Sequence, residues 1–159
     1  MDDELIQLMA TPLPSIRKQI RKLYRPTIEE VIHVYDLLNK CVFDNKLTRP
    51  EIILKRQYKV FGWCIGSWEQ LPSGSHCTIK LMDKWYCIQW MITILAHEMA
   101  HQYTWDIERP DREAVGKKGL MSHGSSFLQH RAKMAEFNIR LKHYLYINRW
   151  FKYQRFDKC

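Results

Sequence analysis

Two histidines and a glutamate occur at helical spacing within one apolar stretch of the sequence. His97, Glu98 and His101 form the pattern His-Glu-x-x-His, and residues four apart share a helix face, so both imidazoles can bind one metal ion. Glu98 is rotated about 100° from His97 around the helix axis, which places it beside the ion rather than among its ligands. A water on the open side of the ion is within its reach. These residues predict metal-assisted hydrolysis, with zinc as the cofactor.

The sequence around the motif predicts a long buried helix from about residue 85 to 105. Apolar residues recur there at helical spacing, namely Ile88, Met91, Ile92, Leu95 and Ala96. A chance match on a surface helix is the alternative interpretation. The apolar spacing argues against it, because a buried histidine pair without a metal would be costly.

A third protein ligand is needed if zinc is to be held firmly with one position open for water. The downstream candidates are Glu113, His123, His130 and Glu136. His123 lies beside a glycine where a loop meets a helix, so the backbone can bring it close to the first two ligands. We therefore predict His123 as the third ligand and keep His130 as the reserve.

The remaining periodicity predicts an α+β fold. Thr27 and Glu30 form a capping box that opens a helix running to about Phe43. Alternating residues predict three strands, over 52–56, 60–68 and 76–82, which pair as a small antiparallel sheet. The polar, glycine-bearing stretch from residue 106 to 121 predicts a mobile loop over the site rather than core.

The composition is that of a globular protein. Hydrophobic residues make up 46 % of the 159 residues, enough to bury the core of a single domain. No apolar run reaches the roughly 18 residues of a membrane span, and the acidic first residues do not match a secretory signal. The five cysteines include no Cys-x-x-Cys pair, which argues against a zinc ribbon or a disulfide framework. We expect an intracellular protein, cytoplasmic or at the nucleoid or nucleus, without a membrane partner.

The net charge of +8 is concentrated at the two ends of the chain. Residues 15–25 contain five bases and no acid, and residues 140–159 contain six bases and one acid. A polyanion fits this distribution, with nucleic acid as the leading candidate. The predicted contacts are Arg17, Lys18, Arg21 and Lys22 in the first segment, and Arg149, Trp150, Lys152 and Arg155 in the second. Solvated basic faces, with the C-terminal aromatic residues packed in the core, are the competing interpretation.

The order of the motifs resembles the SprT-like domain, the metalloprotease domain of the Spartan family. Gly62-Trp63-Cys64 lies in a predicted strand, His-Glu-Met-Ala-His follows on a helix, and His-Gly-x-x-Phe opens the next helix at His123. The resemblance covers residues 27–138. It leaves a basic helical extension over 1–26 and a basic aromatic tail over 139–159.

The resemblance implies a single zincin-like domain with His97, His101 and His123 as zinc ligands and Glu98 as the catalytic base. It also implies an endopeptidase that acts on DNA-bound or DNA-crosslinked proteins. We separately expect DNA as the partner, in the single-stranded form first, and take a monomer as the default state. Its extended substrate would pair with an edge strand, either 60–68 or 76–82. The alternatives are a non-proteolytic DNA-binding or assembly module with a structural zinc, and a protease whose basic ends bind an acidic protein or membrane surface.

Overall fold

A computed structural model describes residues 3–58, 60–114, 116 and 122–142 of the chain. The helices and strands follow in the order α1 (Asp3–Ala10), α2 (Ile16–Arg21), α3 (Ile28–Phe43), β1 (Glu51–Leu54), β2 (Gly62–Gly66), β3 (Cys77–Leu81), α4 (Ile88–Tyr103), a π-helix (Thr104–Glu108), α5 (Arg109–Ala114), α6 (Ser125–Leu128) and α7 (Arg131–Ala135). The α+β class and the three-stranded sheet are confirmed. None of the helices in these residues is long and apolar enough to span a bilayer.

The strand order is β1-β3-β2, which corrects the expected all-antiparallel pairing. β3 is antiparallel to β2, its hairpin partner, but parallel to β1. The last strand enters between the two earlier ones, which run in opposite directions, so it is parallel to one of them and antiparallel to the other. Alternation in the sequence predicts which residues form strands, but it carries no information on the order in which they assemble. Among the described residues β2 is therefore an edge strand, and β3, the other proposed edge, is central.

The core lies between the sheet and helices α3 and α4. Cys77, Ile79 and Leu81 point into it from β3 with no exposed surface, as their alternation predicts. Helix α3 starts at the predicted capping box, in which the Thr27 side chain and the Glu30 backbone N–H form one of the two reciprocal hydrogen bonds. Helix α4 is buried almost throughout its length, so its histidines are held by core packing rather than by a loop.

The segment before α3 packs against this core. Leu5 of α1 is fully buried, and Gln89 of α4 donates a hydrogen bond to the carbonyl of Thr11. Tyr24 and Trp85 form an isolated β-bridge with backbone hydrogen bonds in both directions. The N-terminal extension is therefore joined to the domain through side chains and backbone alike.

The predicted loop over 106–121 is wrong for the part that the structure describes. Residues 104–108 continue α4 as a π-helix, and α5 follows through Ala114. The Asp106 carboxylate accepts hydrogen bonds from the Ser75 hydroxyl and the His76 N–H, each at 2.7 Å, which ties the π-helix to the β2–β3 connection. Pro110, which has no N–H to donate, is the second residue of α5, directly after the π-helix.

Candidate metal centre

The side chains of His97, His101 and His123 converge at one site. The possible ligand atoms of the three imidazoles all lie within 4.8 Å of one another, and no other such group of three occurs in the described part of the chain. His97 and His101 come from the same face of α4, one helical turn apart. His123 reaches them from the segment just before α6. The three histidines can hold a metal ion, as the sequence predicted.

Phe127 supports all three imidazoles from one side. Its ring centroid lies 4.9 Å from that of His97, 4.6 Å from that of His101 and 4.9 Å from that of His123, and the side chain is fully buried. The ring is stacked on His101 and meets the other two edge-on. An apolar floor of this kind restricts the rotamers of the histidines and keeps water from one side of the site.

The surroundings of His101 favour the neutral form of its imidazole, which is the form that binds metal. Burial, and then the neighbouring His123, lower the pKa of His101 to about 4. His97 is only 8 % exposed, whereas His101 and His123 are half-buried. Three imidazole nitrogen donors suit zinc, whose preferred ligands include imidazole nitrogen, and leave a fourth position for water.

Glu98 lies between α4 and the edge strand β2. Its side chain is only 6 % exposed, and Oε2 accepts a hydrogen bond from the Cys64 N–H at 2.8 Å. Burial raises the pKa of this carboxyl to about 8, although the hydrogen bond from Cys64 acts in the opposite direction. The carboxyl is therefore fixed in place and binds a proton more readily than an exposed glutamate does.

The Cys64 N–H belongs to the free edge of β2. The Phe61 carbonyl accepts a hydrogen bond from the Met82 N–H, and the Ser67 N–H donates one to the His76 carbonyl, so both backbone groups point towards β3. Because antiparallel strands alternate, the backbone groups of residues 62, 64 and 66 point away from β3. Within the described residues β2 pairs with β3 alone, so this edge can accept an extended chain beside Glu98.

The structure separates the other candidate ligands from this site. His130, the reserve ligand, is buried between Phe43 and Tyr103, with ring centroids 4.8 and 4.5 Å away. Glu113 is exposed on α5, and Glu136 is exposed and pairs with Lys133. The choice of His123 rather than His130 therefore agrees with the geometry.

The predicted nucleic-acid contacts fall into two groups. Arg17, Lys18, Arg21 and Lys22 are all exposed on or next to α2, and none of them forms an ion pair with another described residue. The second group lies outside the described residues, and its members are Arg149, Trp150, Lys152 and Arg155. Both groups stay predictions as DNA contacts.

Two glycines of β2 are site residues that the sequence reasoning did not identify. A Cβ on Gly62 would lie 2.7 Å from Ile94 Cγ2 and 3.0 Å from Glu98 Oε1, and one on Gly66 would lie 2.0 Å from the Trp105 ring. Their absent side chains let α4 and the residues after it approach the edge strand. Isolated glycines inside a strand pattern signal such a close approach, so their spacing carried the information.

Comparison with known proteins agrees with this geometry. The comparison with curated proteins found no match. Residues 31–143 match the model of the SprT-like family, and this interval includes the three histidines, Glu98 and the whole sheet. Family membership points to a domain of the metallopeptidase type. Because the match extends over more than half of the chain, the protein belongs to the SprT-like family.

Proposed function

We propose that this protein is a zinc-dependent endopeptidase that binds DNA and cleaves DNA-bound or DNA-crosslinked proteins. One observation carries the proteolytic part: a three-histidine site lies next to the buried Glu98, and Glu98 in turn touches the free edge of β2. A metal site, a proton acceptor and a surface for an extended chain thus occur side by side. Membership of the SprT-like family supports the same chemistry.

His97, His101 and His123 would hold the zinc ion. Zinc in such a site supplies an activated water and polarises a peptide carbonyl. The backbone groups of residues 62 and 66, and the carbonyl of residue 64, would bind the substrate main chain, a mode of pairing that tolerates many sequences.

Glu98 would take a proton from the attacking water at its carboxylate and give it to the departing amine. Burial holds its pKa near the range in which both transfers are feasible, and a bound cation lowers that pKa again. The N–H of Cys64 positions the carboxylate for both steps.

The basic residues of the N-terminal segment support the DNA part of the proposal. Arg17, Lys18, Arg21 and Lys22 are exposed together over less than two helical turns, in a protein with a net charge of +8. Such a cluster attracts phosphates and releases counterions when it binds them. It would bring the protease to substrates that are already attached to DNA.

The test is cleavage of a basic DNA-binding protein by the wild type and by Glu98→Gln, with and without single-stranded DNA. Zinc content and thermal unfolding of both proteins are measured first, because the amide keeps the shape of the carboxylate but cannot accept the proton. We expect the wild type alone to cleave, and to cleave faster when DNA is present.

Other outcomes separate the alternatives. Equal cleavage by both proteins would show that Glu98 is not the base. Zinc in both proteins with cleavage in neither would favour a DNA-binding or assembly module with a structural zinc. Cleavage without any DNA binding would leave a protease that uses its basic surface for another partner.

A further inference from the structure

The Arg109 guanidinium packs against two indole rings near the end of β2. Its Cζ atom is 4.5 Å from the centroid of Trp105 and 4.8 Å from that of Trp68, and the two rings meet edge-on at 5.6 Å. Arg109 is only 8 % exposed. Contacts between a cation and two aromatic faces are strongest when the cation is removed from water, as it is here.

The guanidinium is also tied to the β2–β3 connection. Its Nη2 donates to the Ser67 carbonyl at 3.4 Å and to the His76 Nδ1 at 3.1 Å. These bonds anchor Arg109 in one position, and Trp68 packs on it although the indole of Trp68 is itself 74 % exposed. A large exposed aromatic side chain is thus held in place without being covered.

This cluster lies beside the C-terminal end of β2. The Trp105 ring lies against Gly66, where a Cβ would come within 2.0 Å of it. Gly66 is two residues beyond Cys64, the residue that binds Glu98, which corresponds to about 7 Å along a strand. A chain paired with β2 at Glu98 would therefore pass Trp105 and Trp68 after about two residues.

We propose that Trp68 and Trp105, clamped by Arg109, form a subsite for an aromatic or large apolar side chain of the bound polypeptide. This inference rests on the proposed function insofar as that function places a chain along β2. The exposed indole offers apolar contact area that is already ordered, which lowers the entropic cost of binding. The buried positive charge disfavours a basic side chain, and the covering indoles keep an acidic one from the guanidinium.

Binding of labelled, unstructured peptides to zinc-loaded Glu98→Gln protein tests the subsite without requiring cleavage. Two series of peptides carry either Phe or Gly at successive positions and are otherwise identical, and affinity is measured by fluorescence anisotropy. We expect Phe at one position to strengthen binding about tenfold relative to Gly, the effect of burying one aromatic ring at a partly exposed site. Adding Trp68→Ala should reduce that ratio to about one.

Trp63→Ala is the matched control, because Trp63 is also an exposed tryptophan, at 57 %. Trp63 lies between Gly62 and Cys64 in the strand, so its side chain points to the opposite face of β2. This control should keep the preference for Phe. Thermal unfolding checks that neither variant is destabilised, and Trp68→Phe, which keeps a ring, should retain part of the preference.

Arg109→Lys tests the clamp, because lysine keeps the charge but not the planar guanidinium that packs on the two indoles. We expect the Phe preference to fall in this variant while its zinc content is unchanged. An unchanged preference would show that Arg109 does not position Trp68.

Several results would overturn the subsite. The Glu98→Gln protein could bind both peptide series equally, or it could bind neither. The preference for Phe could also persist in the Trp68→Ala variant. Loss of single-stranded DNA binding in Trp68→Ala with an unchanged peptide preference would identify a base-stacking surface instead. Cleavage by the wild type is scored separately, so failure of the protease proposal and failure of the subsite are distinguishable.

Discussion

At the scale of single residues, the site depends on how four rings pack. Phe127 contacts the imidazoles of His97, His101 and His123, so the Phe of His-Gly-x-x-Phe supports the ligand that opens the same motif. His130 lies seven residues after His123 and is also buried, but it packs against two other aromatic rings. Location in the fold, rather than residue type, separates a ligand from a core histidine.

Replacing the third ligand should remove the metal, whereas replacing His130 should not. We expect His123→Ala to weaken zinc binding by more than about 100-fold, beyond the 10–100-fold typical of residues outside the ligand set. The matched control is His130→Phe, which should keep wild-type affinity. Competition with a chromogenic chelator measures both. Equal loss in the two variants would contradict the assignment of His123.

His130 should make stability depend on pH. Burial lowers the pKa of its imidazole to about 4, below the value of about 6.5 in an unfolded chain. The folded state therefore prefers neutral His130, and this contribution is present above pH 6.5 and is lost as pH falls towards 4. Between pH 7.5 and 5 the wild type should lose about 1–2 kcal/mol more unfolding free energy than His130→Phe. Urea unfolding at the two pH values measures the difference, and parallel losses would contradict it.

At the scale of secondary structure, the approach of α4 to β2 assembles the site. Gly62 and Gly66 remove side chains from the strand face that α4 and Trp105 cover, which lets the Cys64 N–H reach Glu98. The π-helix after α4 brings Trp105 to Gly66, and its Asp106 holds the β2–β3 connection in place. A π-helix beside a candidate active site fits the frequent occurrence of such segments at functional sites.

A methyl group at Gly66 should disturb this contact. Its Cβ would lie 2.0–2.4 Å from three atoms of the Trp105 ring, so the indole must move. We expect Gly66→Ala to lower the unfolding free energy by about 1–3 kcal/mol, the usual effect of overpacking. In a Trp105→Ala background the same substitution should have little effect, because no ring opposes it. A double-mutant cycle by urea unfolding tests this, and additive effects would contradict the steric explanation.

At the scale of the whole molecule, the exposed bases of the N-terminal segment and the candidate metal centre occupy different parts of the sequence. The α2 bases precede the family match, which begins at residue 31, and they are exposed. The metal site lies in the buried middle of the chain. This separation predicts that DNA affinity can be reduced without changing the chemistry of the site.

Arg17 and Arg21, one helical turn apart on α2, should contribute to the salt dependence of DNA binding. Each phosphate contact on a single strand contributes about 0.7 to the slope of log K against log salt, so Arg17→Gln/Arg21→Gln should reduce the slope by about 1.4. The matched control is Lys46→Gln/Arg49→Gln, which removes two exposed bases that already pair with Asp44 and Asp36. Fluorescence titrations at several salt concentrations measure both. An equal effect of the two pairs would indicate only a general dependence on net charge.

Residues whose chemistry depends on local geometry could be identified from the amino-acid sequence alone. His97, Glu98 and His101 follow from one helical turn, the start of α3 follows from its capping box, and the inward face of β3 follows from alternation. Such features depend on backbone geometry over a few residues, and the spacing of residue types in the sequence predicts that geometry. The third ligand was predictable as well, because a glycine and a loop placed it at a helix start.

Contacts between elements far apart in the sequence could be recognised only in the folded chain. Hairpin pairing and the insertion of β3 between the other strands made β2 the edge. The long-range contacts of Asp106 and Arg109 hold in place a segment whose sequence predicts a loop. The hydrogen bond from Cys64 to Glu98 joins residues 34 positions apart in the sequence. Such contacts are selected by the packing of the whole core, and local periodicity cannot encode them.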